Sequence, residues 1–323
     1  MDFKPLSGRL FPRYSGIKTF FRLPFVDMGF EAGSASKLTD EQNDFSVALF
    51  GIPFDGGVSY RPGARFAPSH VREASSLGRG FHWSRGQNLF EKLRIADIGD
   101  CQTVPIDLQQ TYQKIEAFVS QILENKKKFL AVGGDHSVSL PTLRALKKYY
   151  GKPLAFIHFD AHLDTYPAAW GCEFHHGSFA RHAIEEGLVN PQKMVQIGLR
   201  GPLAGGDDLD FVTRHKVRVI TVDDIREKAL PEFLKTLPIF DSTPTFVSFD
   251  VDCLDPAFAP GTGTPVPGGL TTYEVQRILR ALKIPNLVGA DLVEICPAYD
   301  SSDITALAGV DVMFELLHHL IKS

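Results

Sequence analysis

The chain has 323 residues, 44% of them hydrophobic and 22% charged, the proportions of an ordinary soluble globular protein. Glycine (28) and proline (21) fall well short of a disordered or fibrous composition, and a net charge of −4 argues against a protein whose main work is coating nucleic acid or an anionic membrane. No window reaches the ~18 apolar residues of a membrane span. Four scattered cysteines, at 101, 172, 253 and 296, suit neither a disulfide framework nor a structural zinc site, so a reducing, cytoplasmic compartment is expected.

Residues 1–24 carry five bases and one acid, but prolines at 5, 12 and 24 oppose an amphipathic targeting helix. Residues 1–44 are therefore read as a folded arm ahead of a single domain spanning the chain. Short apolar runs at 45–54, 129–133, 154–160, 195–200, 217–222, 245–252 and 287–295 predict strands, being too brief for helices and bounded by Gly, Pro or Asp. Segments 108–128, 137–150, 178–186, 271–282 and 303–322 place apolar residues at three- and four-residue steps and predict helices. This alternation implies an α/β fold with a mainly parallel sheet and helices on both faces. Ligands then bind beyond the carboxyl ends of the strands, so functional polar residues belong where an apolar strand stops.

Three clusters meet that condition. Gly133-Gly134-Asp135-His136 follows one strand, its glycines allowing a sharp turn and a close backbone approach. His158-Phe159-Asp160-Ala161-His162-Leu163-Asp164 follows another, and an extended backbone would set Asp160, His162 and Asp164 on one face. His158 shares that parity, but its deeper place in the strand favours a supporting role. Asp250 and Asp252 end the run 245–252 in the same way. Crowded carboxylates repel one another without a cation. Four carboxylates and two imidazoles exceed the needs of one tetrahedral zinc, and suit two higher-coordinate ions such as Mn²⁺. No phosphate-cradling Gly motif and no Gly-x-Ser-x-Gly elbow occurs.

The segments GGDHSVSLPTLRAL, HFDAHLDT and SFDVDCLDPAFAPGTGTPVPGGLT, with DLVEICPAYD at 291–300, resemble the blocks of the ureohydrolases, the arginase and agmatinase family. The likeness runs from about residue 45 to the C-terminus. It implies a three-layer αβα domain, two Mn²⁺ per subunit and a homo-oligomer, trimer or hexamer. By resemblance, His136, Asp160, Asp164 and Asp250 hold one ion, and Asp160, His162, Asp250 and Asp252 the other, with Asp160 and Asp250 bridging. His176 matches a proton-shuttling histidine, beside His175, and Glu274 matches the acid that pairs with the substrate guanidinium. Read without the family, Glu274 is an ordinary first-turn helix carboxylate. The implied chemistry is attack of hydroxide on a guanidinium carbon, oriented by Asp164, with urea leaving and the amine protonated through His176.

The substrate tail divides the family. Arginases carry an acidic pair after the strand ending in IGLR, and this chain has Gly201-Pro202-Leu203 there. The segment WGCEFHHG at 170–177 resembles the agmatinase loop, with Glu173 placed for an amine tail. The segments PRYSGIKTFFRLP and FDGGVSYRPGARFAP resemble instead the guanidinobutyrase, guanidinopropionase and proclavaminate amidinohydrolase branch. There Arg61, Arg65, Arg181, Arg200 or His175 would meet a carboxylate. Agmatine is the favoured substrate, a guanidino acid the alternative. A binuclear metal phosphoesterase and an inactive scaffold are remoter readings.

Overall fold

Continuous burial along the apolar runs marks strands covered on both faces. In the computed structural model, which describes residues 2–29, 39–203 and 205–321, the strands are β1 (Val47–Gly51), β2 (Phe81–His82), β3 (Gln87–Asn88), β4 (Ile95–Asp100), β5 (Lys128–Val132), β6 (Leu154–Phe159), β7 (Val189–Leu199), β8 (Arg218–Thr221), β9 (Thr245–Asp250) and β10 (Leu287–Val293). Eight of them form one sheet in the order β4-β1-β5-β10-β9-β6-β7-β8, and every neighbouring pair is parallel. β2 and β3 make a separate antiparallel pair.

Leu49, Leu130, Ile157 and Val247 point to one face, where they pack with Val71, Ile278 and Leu316 of the helices Ala67–Ala74, Thr272–Ala281 and Ile304–Leu320. Phe50, Phe129, Phe156 and Phe246 point to the other, against Ile115, Leu143 and Phe179 of Leu108–Glu124, Ser139–Tyr150 and Phe179–Glu185. The three-layer αβα expectation therefore holds, and all seven predicted strands and five predicted helices are present, most with ends shifted by a few residues, though the strand expected at 195–200 already begins at Val189. The predicted end of the last helix, residue 322, lies outside the described residues.

Strand β4 and the helices Ala67–Ala74 and Asp207–His215 were not expected from the sequence pattern. β4 hides because its centre is Asp97, only 1% exposed, whose carboxylate is neutralised by the Arg72 guanidinium (Nε–Oδ2 2.8 Å, Nη2–Oδ1 3.0 Å). The arm is tied to this same edge. Val26 N–H donates to Asp97 O, Asp97 N–H to Pro24 O, and Phe20 N–H to the Asp97 carboxylate, with Phe20 and Phe21 buried. Backbone groups that an edge strand would leave open are thereby covered. Part of the expected arm, residues 30–38, lies outside the described residues. No helix among the described residues is long and apolar enough to cross a membrane.

Four adjacent strands, β5, β10, β9 and β6, bring their carboxyl ends together in the middle of the sheet. Segments far apart in sequence meet there.

Candidate metal centre and active site

Each of the three acidic clusters leaves its strand through the same local device. An aspartate oxygen at the strand end accepts the backbone N–H two residues on: Asp135 from Ser137 (2.8 Å), Asp160 from His162 (2.6 Å) and Asp250 from Asp252 (2.8 Å). Such Asx turns bend the chain across the sheet edge. The extended-strand premise is thus corrected. β6 stops at Phe159, and Asp160, His162 and Asp164 converge through a turn in which Asp164 has φ +50°, not through strand alternation.

The convergence is tight. His136 Nδ1 lies 3.1 Å from Asp160 Oδ2, 3.2 Å from Asp164 Oδ2 and 3.1 Å from Asp250 Oδ2. His162 Nδ1 lies 3.2 Å from Asp160 Oδ1 and 3.1 Å from Asp252 Oδ2. Asp160 therefore offers one oxygen to each half of the cluster, while Asp250 turns Oδ2 to His136 and gives Oδ1 to the backbone of Asp252. One imidazole N–H cannot satisfy three carboxylates. Separations of this size are instead those of neighbouring ligands around an octahedral ion with bonds of ~2.2 Å, between the distances typical of Mg²⁺ and Ca²⁺. The donor set is carboxylate oxygen with imidazole, without thiolate, which fits Mn²⁺-like ions. On these observations the residues fit a pair of divalent ions.

Surrounding groups hold these side chains in place. Gln196 Nε2 donates to Leu163 O (2.6 Å) and to His158 Nδ1 (2.9 Å), so His158 carries its proton on Nε2 and donates it to Asp160 Oδ2 (2.8 Å). His158 lies close enough to His136, Asp160 and Asp164 to be a ligand by distance. Its proton assigns it to orienting Asp160 instead. His136 Nε2 faces Ser248 Oγ at 2.7 Å, leaving Nδ1 to the carboxylates. Asp252 Oδ1 accepts from Ala161 N–H, and Thr264 of the GTGT loop approaches Oδ2 at 3.3 Å.

Without cations, the cluster is electrostatically divided. Burial, then repulsion from Asp252 and Asp160, pushes the Asp250 carboxyl well above its ordinary range. Burial acts on Asp160 in the same direction, but His158, His136 and His162 pull it well below. Bound dications would replace protons at these groups.

Beside the cluster stands a carboxylate that the sequence reading passed over. Glu294 follows β10, is wholly buried, and adopts φ +63°. Its Oε1 accepts from His136 N–H (2.9 Å) and from His176 Nδ1 (2.8 Å), while Oε2 is buried with no hydrogen-bond partner among the described residues. An acceptor-only oxygen left bare in the interior awaits a donor. The clue was available: LVGADLV is an apolar run that stops at an acid, the very condition that singled out the other clusters. Burial opposes a charged His176 ring, but Glu294, with Asp164 and Asp135 behind it, raises its pKa to about 9.

Glu274 is not brought to this cluster, which corrects the role expected for it. Its Oε2 caps the helix Thr272–Ala281 through Thr271 N–H (2.7 Å) and Thr271 Oγ1 (2.9 Å), and it pairs with Arg226 (3.2 Å). This Thr-x-x-Glu arrangement is a capping box. Glu274→Ala should accordingly lower stability by about 1 kcal/mol, a melting shift of ~2 °C, and leave kcat unchanged. A kcat loss above tenfold at normal metal content would restore the original assignment.

His175 is buried and caps the turn His176–Ser178, with Nε2 on Pro167 O (3.1 Å). Glu173 is exposed, its carbonyl taken by Ser178 and His182 and its carboxylate unengaged among the described residues. Tyr166, unremarked in the sequence, has its hydroxyl pKa raised to about 12 by burial and by nearby Asp164.

The sequence profile of the Arginase family matches residues 45–319. Proclavaminate amidinohydrolase from Streptomyces clavuligerus is 39% identical over 98% of this chain and 97% of its own length. Its solved structure superposes with a TM-score of 0.84, covering 96% of this chain and 99% of that one. Guanidinopropionase from Pseudomonas aeruginosa is 42% identical over 99% of this chain and 96% of its own. An agmatinase from Proteus mirabilis is 42% identical over 85% of this chain and 88% of its own.

Proposed function

The chain belongs to the arginase family of ureohydrolases, and from that premise we propose that it hydrolyses agmatine to putrescine and urea with two Mn²⁺ held by His136, Asp160, His162, Asp164, Asp250 and Asp252. Ions bound there would lower the pKa of water and so supply hydroxide at neutral pH. The protein's own groups supply the rest. Glu294 Oε2, bare and buried, is the acceptor for the planar guanidinium, which it would hold by a charge-assisted hydrogen bond. His176, whose pKa the same Glu294 raises against the effect of burial, gives the leaving nitrogen the proton without which an amine is not expelled. Asp164, beside His136 Nδ1, orients the attacking oxygen.

The observation that carries the choice of tail is the commitment of the cations. Arg65 closes on Asp55, and Arg181 on Thr165 O and Glu185. Arg200 spends its donors on the carbonyls of Gly198, Asp252, Cys253, Leu254 and Val266, and His175 meets Pro167 O. Glu173 retains an unengaged carboxylate, which suits the amine of agmatine. The guanidino-acid reading has support too. Arg61 binds Gly263 O through Nε only and stacks 4.7 Å over Tyr299, so its terminal nitrogens remain open among the described residues. The relatives that cover 98% and 99% of this chain are, by name, a proclavaminate amidinohydrolase and a guanidinopropionase.

Manganese-loaded protein assayed for urea with agmatine, 4-guanidinobutyrate, 3-guanidinopropionate and arginine decides the matter. The highest kcat/KM is expected with agmatine, and Arg61→Gln should leave that value unchanged. A guanidino acid as best substrate, lost in Arg61→Gln, would establish the second reading. No urea from any of the four would overturn both, and phosphate release from phosphoesters without urea would point to the phosphoesterase alternative. The four free cysteines, three of them buried, support the cytoplasmic expectation. A trimeric or hexameric homo-oligomer completes the reading.

A further inference from the structure

The His176 ring nitrogen that does not face Glu294 meets a loop with no assigned part in the site. Ser59 N–H lies 3.1 Å from His176 Nε2, and Ser59 Oγ lies 2.7 Å from the same nitrogen. The loop is fastened where it meets the ring. Gly57 N–H donates to Asp135 Oδ2 (2.7 Å), and Gly57 O accepts from His176 N–H (2.9 Å). A side chain at Gly57 would place its Cβ 2.8 Å from Ser137 Oγ and 3.1 Å from Asp135 Oδ1, so the close approach requires glycine. A second clamp, Gly63 N–H on Asp55 Oδ2 (2.7 Å), fixes the other end of the loop.

The protons can be assigned from the partners. A carboxylate only accepts, so Nδ1 carries hydrogen toward Glu294 in both charge states of the ring. Nε2 is therefore the nitrogen that gains and loses the proton. A backbone N–H only donates, and Ser59 N–H thus favours the neutral ring with a lone pair on Nε2. The Ser59 hydroxyl can act either way, donating to the neutral ring and accepting from the charged one.

We infer that Ser59 is a positioning residue for His176, its backbone N–H holding the neutral ring and its hydroxyl accepting from the protonated ring, so that the histidine changes charge without turning. This rests on the reading of His176 as the proton donor. The other ionisable groups that face the ring are Glu294, Asp164 and Asp135, and none of them contacts Nε2.

The test is Ser59→Ala, which keeps the N–H and removes only the acceptor for a charged ring, with Ser59→Thr as the conservative control. In Ser59→Ala, kcat should fall about tenfold or more, within the ~10²–10⁴-fold that a whole general acid contributes, while KM stays within about twofold. The alkaline limb of kcat should move to lower pH, and Ser59→Thr should recover most of the rate and the limb. Wild-type kcat and an unmoved limb in Ser59→Ala would overturn the inference. So would a loss shared with metal content and melting temperature that Ser59→Thr fails to repair, since that marks a purely structural loop contact. Imidazole ¹⁵N titration of His176 separates this from the functional reading. A protein that releases no urea should still show a lower His176 pKa in Ser59→Ala than in wild type, and equal values would sink the inference on their own.

Discussion

Asp250→Asn should bind fewer than two equivalents of Mn²⁺ and release urea at least ~100-fold more slowly, since loss of even an outer partner of a metal ligand typically costs 10–100-fold. Asp250 stands at the end of β9, 2% exposed, with Oδ2 3.1 Å from His136 Nδ1 and Oδ1 committed to the turn that carries Asp252. Asparagine can keep that turn but not the charge. The same substitution should act in the opposite direction on the metal-free protein. A carboxyl whose folded pKa lies above its unfolded value binds its proton more tightly in the folded state. Stability is then lost as pH rises from the unfolded value, ~3.9, through the folded one. Asp250 is such a group, pushed up by burial and by Asp252 and Asp160. Chelator-treated Asp250→Asn should therefore melt above wild type at pH 8, with a smaller gap at pH 5, and melt below it when manganese is present. A generic packing defect would lower both. Full metal occupancy in the variant would refute the ligand assignment.

Glu294→Gln should keep two equivalents of metal and lose activity, about 10³-fold in kcat/KM, because two functions depend on one carboxylate. Oε1 holds the charged His176, and Oε2 is the bare buried acceptor assigned to the guanidinium. The pH profile distinguishes this from simple loss of substrate affinity. His176 must be protonated to act, so activity fades as pH rises through its pKa, which Glu294 raises to about 9 against the effect of burial. Bound cations only lower that value, so the wild-type alkaline limb lies no higher than about 9. Removing the carboxylate charge should move the limb to lower pH, whatever substrate is used. Retained activity with an unmoved limb would show that Glu294 is a structural brace for His136 N–H and nothing more.

How the site could be read from the sequence depended on the kind of signal each residue left. The six proposed ligands are legible because each sits within a few residues of a strand end, and buried apolar runs such as LAFIHF and TFVSFD are hard to mistake. Even there the geometry came from Asx turns and not from strand alternation, a detail that spacing alone conceals. Glu294 was missed although it met the same condition. Its partners are His136 and His176, more than a hundred positions away, and only the insertion of β10 between β5 and β9 makes them neighbours. Glu274 attracted a role through the block around it, while its local chemistry, Thr271 three residues before, already described a helix cap. β4 escaped because a buried Asp97 interrupts its hydropathy, and the compensating Arg72 lies on a distant helix. Ser59 left no signal in the sequence, being an exposed loop serine whose meaning lies in the ring beside it.

If one cluster of six side chains binds two ions and thereby hydrolyses a guanidino group, metal occupancy and urea release must rise together. Titration of metal-free protein with Mn²⁺, with bound metal and urea release from agmatine and the guanidino acids followed in the same samples, tests it most directly. Saturation at two equivalents per chain is expected, with urea release rising alongside occupancy and abolished on chelation. Saturation at two equivalents without urea from any guanidino compound, or urea release that persists with no metal bound, would contradict it.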